Sequence, residues 1–399
     1  MSPAALAIAI TLLTLGAFLV SVAATWGMIG IATKINLVDK PGHRKIHHVP
    51  KPLGGGVGIF LGVAVPLLLG CGYVLLDLWF DPWDTTEFQQ RVVGEGEFRL
   101  LGGFVLDVAL VRGLREQLPL ALGFLAGGFG MFLLGLIDDK RALGPFIKLV
   151  VQLAVSAWFV WQFDVRLFTF LDDNTPLGVI PSVVITVLWI AGVTNAFNFL
   201  DNMDGLSAGV ACVCAVVFLA AALIVGQLFV AATLALLVGA LLGFLVFNFP
   251  PASIFMGDSG ALFIGFVLGV LTVRTTYLPP GQDFAAGWYS VFVPVIVLAL
   301  PLYDMIVVSA IRLARGKSPF VGDTNHFSHR LVARGMSRRT AVLTLYLVTA
   351  ATGVAAILLP LVTSTFAAML IFMQTLLILG VVMLLEQHPL PRPPEPPTT

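Results

Sequence analysis

Charge is scarce in this chain. Asp, Glu, Lys and Arg make up 11% of its 399 residues, less than half the roughly 25% of an ordinary soluble domain. Neither sign dominates, because 22 Lys and Arg balance 22 Asp and Glu. That balance argues against a nucleic-acid binder, which usually shows a basic excess. Cysteine is nearly absent: Cys71, Cys212 and Cys214 all sit in apolar runs. An odd number without a partner pattern excludes a disulfide scaffold, and Cys-x-Cys in an apolar helix is no zinc site, so all three read as packing residues. No internal repeat is evident. No positive n-region and no small-residue cleavage site accompany the first apolar segment, which therefore does not read as a removed signal peptide. What abounds is apolar side chain, at 58%. That is too greasy for one water-soluble domain and unlike a disordered chain.

A helix needs about 20 mainly apolar residues to cross the hydrocarbon core of a bilayer. Eleven segments qualify, near 5–32, 56–78, 118–137, 145–163, 178–199, 205–226, 228–248, 259–274, 288–311, 340–361 and 363–385. The expectation is an all-α polytopic membrane protein with about 11 transmembrane helices. Residues 1–388 read as one transmembrane domain, with 79–117 as an external loop insertion. Within it, Gly-rich and partly alternating runs over Val92–Val111 suit a hairpin. Residues 389–399 read as a disordered Pro-rich tail. Of the 22 Lys and Arg, 16 fall in the odd-numbered loops and the tail, leaving 6 in the even-numbered loops. Positive charge marks the cytoplasmic side, so the N-terminus is expected outside and the C-terminus in the cytoplasm.

Acids on the even side, such as Asp81, Glu87, Asp172 and Asp283, read as solvated charges. The odd loops hold compact sets of Asp, Asn, His, Lys and Gly at helix ends. Loop one runs from Asp39 through His43, Arg44, Lys45, His47, His48 and Lys51 to Gly54-Gly55-Gly56. Loop three opens with Asp138-Asp139-Lys140-Arg141, followed by Lys148. The fifth segment ends with Asn195, Asn198, Asp201, Asn202 and Asp204. Loop seven carries Asn248, Phe255 and Gly257-Asp258-Ser-Gly260, and loop nine carries Asp323, His326, Ser328, His329 and Arg330. Five separated loops converging on one membrane face is not a chance scatter.

Each set has a bland reading beside a chemical one. Asp138-Asp139 is either a solvated helix end or a site for a divalent cation or a shifted base, since like charges raise a pKa. Asn195, Asn198, Asp201 and Asn202 share one helical face, which is either mere interface or a set of hard oxygen ligands for magnesium. Asp258 suits an N-cap as well as a ligand. Arg44, Lys45 and Lys51 satisfy the positive-inside rule with no further role. His326 and His329 are surface residues or, beside Arg and Lys, phosphate binders. Asp304 lies inside the ninth segment, where an acid is costly and defaults to a functional or paired role. Together these residues describe magnesium-assisted phosphate chemistry where a cytosolic substrate and a lipid headgroup meet.

In chain order, the patterns Asp-x-Pro-x-x-Arg-Lys-x-His, Pro-x-Pro-x-x-Gly-Gly, Asp-Asp with a downstream Lys, Asn-x-x-Asn-x-x-Asp-x-x-Asp-Gly, Phe-Met-Gly-Asp-x-Gly and Asp-x-x-His-x-x-His resemble the polyprenyl-phosphate N-acetylhexosamine-1-phosphate transferases. The likeness covers roughly residues 5–340 without loop two. It implies a magnesium-dependent enzyme, with manganese as a substitute, that moves a sugar 1-phosphate from a UDP-sugar to undecaprenyl phosphate and releases UMP. His326-Phe-Ser-His329 in place of three consecutive histidines looks like the UDP-N-acetylglucosamine branch, which starts polymers such as teichoic acid or lipopolysaccharide. The phospho-N-acetylmuramoyl-pentapeptide transferase branch is the alternative. Even in the first branch Ser328 departs from the usual His-x-His-His.

By the same resemblance, Asp138, Asp139 and Asp201 are expected to be catalytic, and Asp258 and Asn198 to hold the metal. Lys45, Asp204, Asn248 and Phe255 are expected at the nucleotide, and Lys148, His326 and His329 at the diphosphate. Arg44, His47, Asn195, Asp304 and Asp323 are expected in support. The implied setting is the cell inner (plasma) membrane, multi-pass, with the site on the cytoplasmic face. The lipid bilayer, a UDP-sugar, polyprenyl phosphate and a second copy of the chain are the implied partners, with no nucleic acid. A transporter or flippase is the reading from another class. Only Asp304 has the mid-membrane placement that reading needs, and no half-repeat is visible.

Overall fold

The computed structural model describes residues 2–39, 50–80, 97–99, 105–174, 176–275, 288–319, 325–362 and 364–387. Arg44, Lys45, His47 and Asp323 lie outside the described residues, as do the tail 389–399 and much of 79–117.

The described chain is mostly helical. Besides a single helical turn at Leu171–Asn174 and two 3-10 turns at Trp288–Phe292 and Leu359–Leu361, its helices are α1 (Pro3–Lys34), α2 (Gly55–Phe80), α3 (Val108–Lys140), α4 (Pro145–Phe163), α5 (Ile180–Leu200), α6 (Leu206–Ile224), α7 (Leu228–Asn248), α8 (Gly257–Arg274), α9 (Val293–Val297), α10 (Ala299–Ala314), α11 (Phe327–Ala333), α12 (Arg338–Ile357) and α13 (Thr365–Gln387). Two short antiparallel strand pairs accompany them. One joins β1 (Val38–Asp39) to β2 (Lys51–Pro52). The other joins β3 (Glu97–Arg99) to β4 (Val105–Asp107), the hairpin expected within the long loop.

Among the described residues, ten helices are long and apolar enough to cross a membrane, and up to 11 if a bent pair counts as one span. The bent pair is the ninth expected segment. Trp288–Val297 and Ala299–Ala314 meet at 67°. Pro301 supplies the reason: it has no N–H for the carbonyl of Val297, and its ring crowds that same carbonyl. The helical ladder resumes on either side, with Leu298 N donating to Pro294 O at 2.9 Å and Leu302 N to Leu298 O at 3.1 Å.

Helix α8 is the axis of the bundle, packed against α3, α5 and α2 and touching α6. Its span is 78% buried within the protein, against 11% for α1 and 22% for α13. A helix that is apolar all round belongs in a core, while the outer helices show the same chemistry to lipid. The approach of α3 to α8 depends on Gly135. A Cβ there would lie 2.4 Å from the backbone of Asp258 and Ser259, where nothing can give way. That contact brings the acidic end of α3 onto the first turn of α8.

Candidate active site

Helix α8 begins with Gly257 at φ +75°, a left-handed conformation in which glycine is strain-free. A side chain there would also strike the Asp139 carboxylate, 2.5 Å away. Asp139 comes from the end of α3 and accepts from the backbone N–H of Asp258 at 2.8 Å and of Ser259 at 3.1 Å. It caps α8 from another helix, satisfying N–H groups that the first turn leaves open. Asp258 itself is therefore not the cap, and its carboxylate is turned to other partners. Asn198 Nδ2 donates to Asp258 Oδ1 at 2.9 Å, and Lys148 Nζ donates to Asp258 Oδ2 at 2.6 Å. Lys148 also reaches Asp138 Oδ2 at 3.1 Å, and Asp138 Oδ1 accepts from Leu143 N at 2.8 Å. Four helices thus deliver Asp138, Asp139, Lys148, Asn198 and Asp258 to one end of the bundle.

Helix α5 stops at Leu200, so Asp201 and Asn202 lie just beyond its last turn. Desolvation by the enclosing protein pushes the Asp201 carboxyl well above its ordinary value, and the charges of Asp258, Asp139 and Asp204 push it the same way. Asp204 Oδ2 accepts from Ala252 N at 3.0 Å. Asn248 is buried, with Oδ1 accepting from Gly205 N and Nδ2 donating to Ile254 O, both at 2.8 Å. Asp204 and Asn248 therefore shape the 249–256 loop that carries Phe255. Asn195 turns inward, donating to Gln152 Oε1 at 2.6 Å and Ala191 O at 2.7 Å. The expected single polar face of α5 is thus divided between the acids, α4 and α11.

Lys51 belongs to this wall, although its charge alone reads as positive-inside. Its Nζ donates to Ala252 O at 2.6 Å and lies 5.3 Å from the centre of the Phe255 ring. Phe255 N donates to Pro52 O, and Gly55 N donates to Phe255 O, each at 2.9 Å. The segment 51–56 and the 252–256 loop are therefore one unit. The signal in the sequence is the position of Lys51 inside the Pro-x-Pro-x-x-Gly-Gly run.

Loop nine docks beside these groups. Ser328 Oγ donates to Asn202 Oδ1, so the residue that departs from the usual histidine is a docking contact on the end of α5. His326 is 5% exposed, lies 5.9 Å from the Phe199 ring and is bound to Asp304. His329 is half-buried, with its ring 6.3 Å from that of His326.

A divalent cation can be tested against this donor set. Among the described residues, no three His, Cys, Asp or Glu side chains form a ready-made cage. Magnesium does not need one, because it keeps several waters and binds through one or two carboxylates plus substrate phosphates. Asp258, with Asn198 on one oxygen and Asp201 and Asp138 nearby, supplies hard oxygen donors. The mutual repulsion of these acids is what a cation relieves. The residues fit the ion.

Comparison with known proteins gives the same direction. A Bacillus subtilis (strain 168) protein named "Probable undecaprenyl-phosphate N-acetylglucosaminyl 1-phosphate transferase" is 31% identical over 346 residues, 86% of this chain and 82% of that protein. Residues 121–276 match the family described as glycosyl transferase family 4. The chain belongs to glycosyl transferase family 4. The match to family 4 runs from within α3 past the end of α8, so it contains Asp138, Asp139, Lys148, Asn198, Asp201 and Asp258. A decaprenyl-phosphate N-acetylglucosaminephosphotransferase of Mycolicibacterium smegmatis is 29% identical, covering 85% of this chain and 79% of that protein. An undecaprenyl-phosphate alpha-N-acetylglucosaminyl 1-phosphate transferase of Escherichia coli (strain K12) is 25% identical, covering 78% and 73%.

Proposed function

We propose that this family 4 member transfers N-acetylglucosamine 1-phosphate from UDP-N-acetylglucosamine to undecaprenyl phosphate and releases UMP. The observation that carries the reading is Lys148 bridging Asp138 and Asp258, with Asn198 on the same carboxylate and Asp201 beside it. This is an acid-rich cluster gathered on Lys148 with an amide beside it, and the relatives' names supply undecaprenyl phosphate and the N-acetylglucosaminyl 1-phosphate group. The setting we propose is the plasma membrane, with this end of the bundle in the cytoplasm, as the distribution of Lys and Arg favours.

The chemistry follows from the groups present. A phosphate oxygen of the lipid attacks the phosphorus that bears the sugar. The bond from that phosphorus to the oxygen of the nucleotide's phosphate breaks, and UMP leaves with the electron pair. Asp258, Asn198 and Asp201 would hold magnesium, with Asp138 in reach. Bound there, it supplies neutralisation of the diphosphate and of the departing UMP. Lys148, next to the same carboxylates, contributes positive charge to the phosphates. Asp139 keeps the first turn of α8 in place, so Asp258 stays aimed. Phe255, in the loop fixed by Asp204 and Asn248, offers a ring for uracil to stack on.

The test is a donor competition. Purified protein receives undecaprenyl phosphate, magnesium, UDP-N-acetylglucosamine and the UDP-N-acetylmuramoyl-pentapeptide together, and the lipid products are separated. The N-acetylglucosamine lipid is expected. Preference for the pentapeptide donor reverses the assignment.

A further inference from the structure

Asp304 is used by none of the chemistry above, yet it is 1% exposed inside α10. A buried acid in a membrane-spanning segment defaults to pairing or function. Both of its oxygens are taken by one short element. His326 Nδ1 lies 2.8 Å from Asp304 Oδ2, and the backbone N–H of Phe327 donates to Asp304 Oδ1 at 2.8 Å. His326 is the residue that opens α11, so a single carboxylate grips that helix at its first turn.

The partners assign the imidazole's proton. An acceptor at Nδ1 places the hydrogen on that nitrogen and leaves Nε2 as an acceptor. Arg312 Nη2 faces Nε2 at 3.4 Å. Arg312 is 3% exposed, donates through Nη1 to Pro319 O at 2.6 Å, and lies 5.1 Å from the Phe199 ring. Phe199 adjoins Asn198, which holds Asp258. From the other side, Ser328 is bonded to Asn202. Helix α11 is thus pinned to α10 through Asp304 and to the end of α5 through Ser328 and the Phe199 ring. With both ring nitrogens committed and the ring buried, His326 is a peg rather than a free phosphate ligand.

We propose that Asp304 is a positioning residue. Through His326 it seats α11 so that His329 and Arg330, one turn further on, meet the diphosphate of the sugar donor. The proposal rests on the reading of the donor as a UDP-sugar. It also assigns Asp304 to loop placement rather than to ion coupling.

The experiment uses the full chain in detergent and two readouts. The first is amide hydrogen exchange over residues 327–333, which requires no turnover. Asp304→Asn keeps the shape but presents an amide N–H to His326, and His326→Ala removes the peg. Both are expected to speed exchange in α11 while leaving α8 protected. The second readout is kinetics. The kcat/KM for UDP-N-acetylglucosamine is expected to fall about 100-fold in each variant, the scale of a misplacement remote from the chemistry. The fall should appear mainly in the donor KM, with the KM for undecaprenyl phosphate unchanged. The double variant should be no worse than either single one. Unchanged exchange in α11, an equal rise in both KM values, or additive losses would each overturn the proposal. If the wild type fails to use UDP-N-acetylglucosamine, the functional reading falls, while the exchange result still decides whether Asp304 seats α11.

Discussion

The two ends of α4 carry ionic clusters of opposite character. Past its C-terminus, Arg166 Nε donates to Asp164 at 2.6 Å, and Arg166 Nη1 donates to Asp172 and to Ser182 Oγ, the latter at 2.9 Å. Ser182 Oγ donates to Asp172 at 2.7 Å. One cation, two acids and a hydroxyl satisfy one another and tie the loop to the start of α5. Near its N-terminus, Lys148 serves both Asp138 and Asp258, while Asp139, Asp201 and Asp204 form no ion pair among the described residues. The first cluster is complete as it stands. The second holds more half-buried carboxyl groups than its one lysine can pair with, and crowded carboxylates are sustained only when protonated, paired or bound to metal. Local completeness separates a structural polar cluster from a functional one, although both are built from Asp and a long cation.

Substitutions at the two ends should therefore behave differently. The largest effect is expected from Asp258→Asn, which removes the carboxylate shared by Asn198 and Lys148. Turnover should fall about 1,000-fold or more while the protein stays folded in the membrane. Activity near wild type at ordinary magnesium would remove Asp258 from the site. Next is Asp139→Asn, which retains one acceptor for the α8 amides and introduces a donor against the other. A loss of about 100-fold in kcat is expected from the displaced first turn, and wild-type kcat would show that the cap is not needed to aim Asp258. Gly135→Ala should cost about 10-fold in kcat/KM, since its Cβ must push the α8 backbone from 2.4 Å. A fully active variant would break the link between that close approach and the site.

The smallest effect belongs to the complete cluster. The Ser182 hydroxyl first, and Arg166 next, hold the Asp172 carboxyl below its ordinary value of 3.8. A lowered folded-state pKa stabilises the protein above the unfolded value, and the contribution is lost as pH falls through the folded value. Between about pH 5 and about pH 3 the melting temperature of wild type should drop more steeply than that of Asp172→Asn. Turnover at neutral pH should be nearly equal in the two. A large loss of turnover in Asp172→Asn would erase the contrast between the ends.

Much of this was legible in the sequence. Ten of the eleven apolar segments are helices, because a membrane span needs only length and apolarity; nine lie close to their expected bounds, while the third starts at Val108, inside the stretch expected as external loop. The residues around Lys148 were legible as motifs in chain order, and the structure brings Asp138, Asp139, Lys148, Asn198, Asp201 and Asp258 together. Tertiary pairing was not legible. Asp172 reads as a solvated charge, yet its side chain is only 16% exposed and bound to Arg166. The partner lies six residues away and the hydroxyl ten, with a helix start between. The break at Leu298 was written in Pro301, but apolarity alone masked it. The capping of α8 by Asp139 joins residues 119 apart, and no local pattern announces a cap supplied by another helix. His326 reads in the sequence as a surface residue or a phosphate binder, and no local pattern announces its burial or its bond to Asp304.

The measurement that bears most directly on phosphoryl transfer at the acid-rich end is the identity of the nucleotide product. Purified protein, undecaprenyl phosphate, magnesium and UDP-N-acetylglucosamine are incubated, and the nucleotides are resolved by chromatography. Attack at the sugar-bearing phosphorus yields UMP, and excess UMP added to the isolated lipid product should regenerate UDP-N-acetylglucosamine, because one diphosphate is exchanged for another. Accumulation of UDP would mean attack at the sugar carbon and would contradict the assignment of Asp258, Lys148 and their neighbours to phosphoryl transfer.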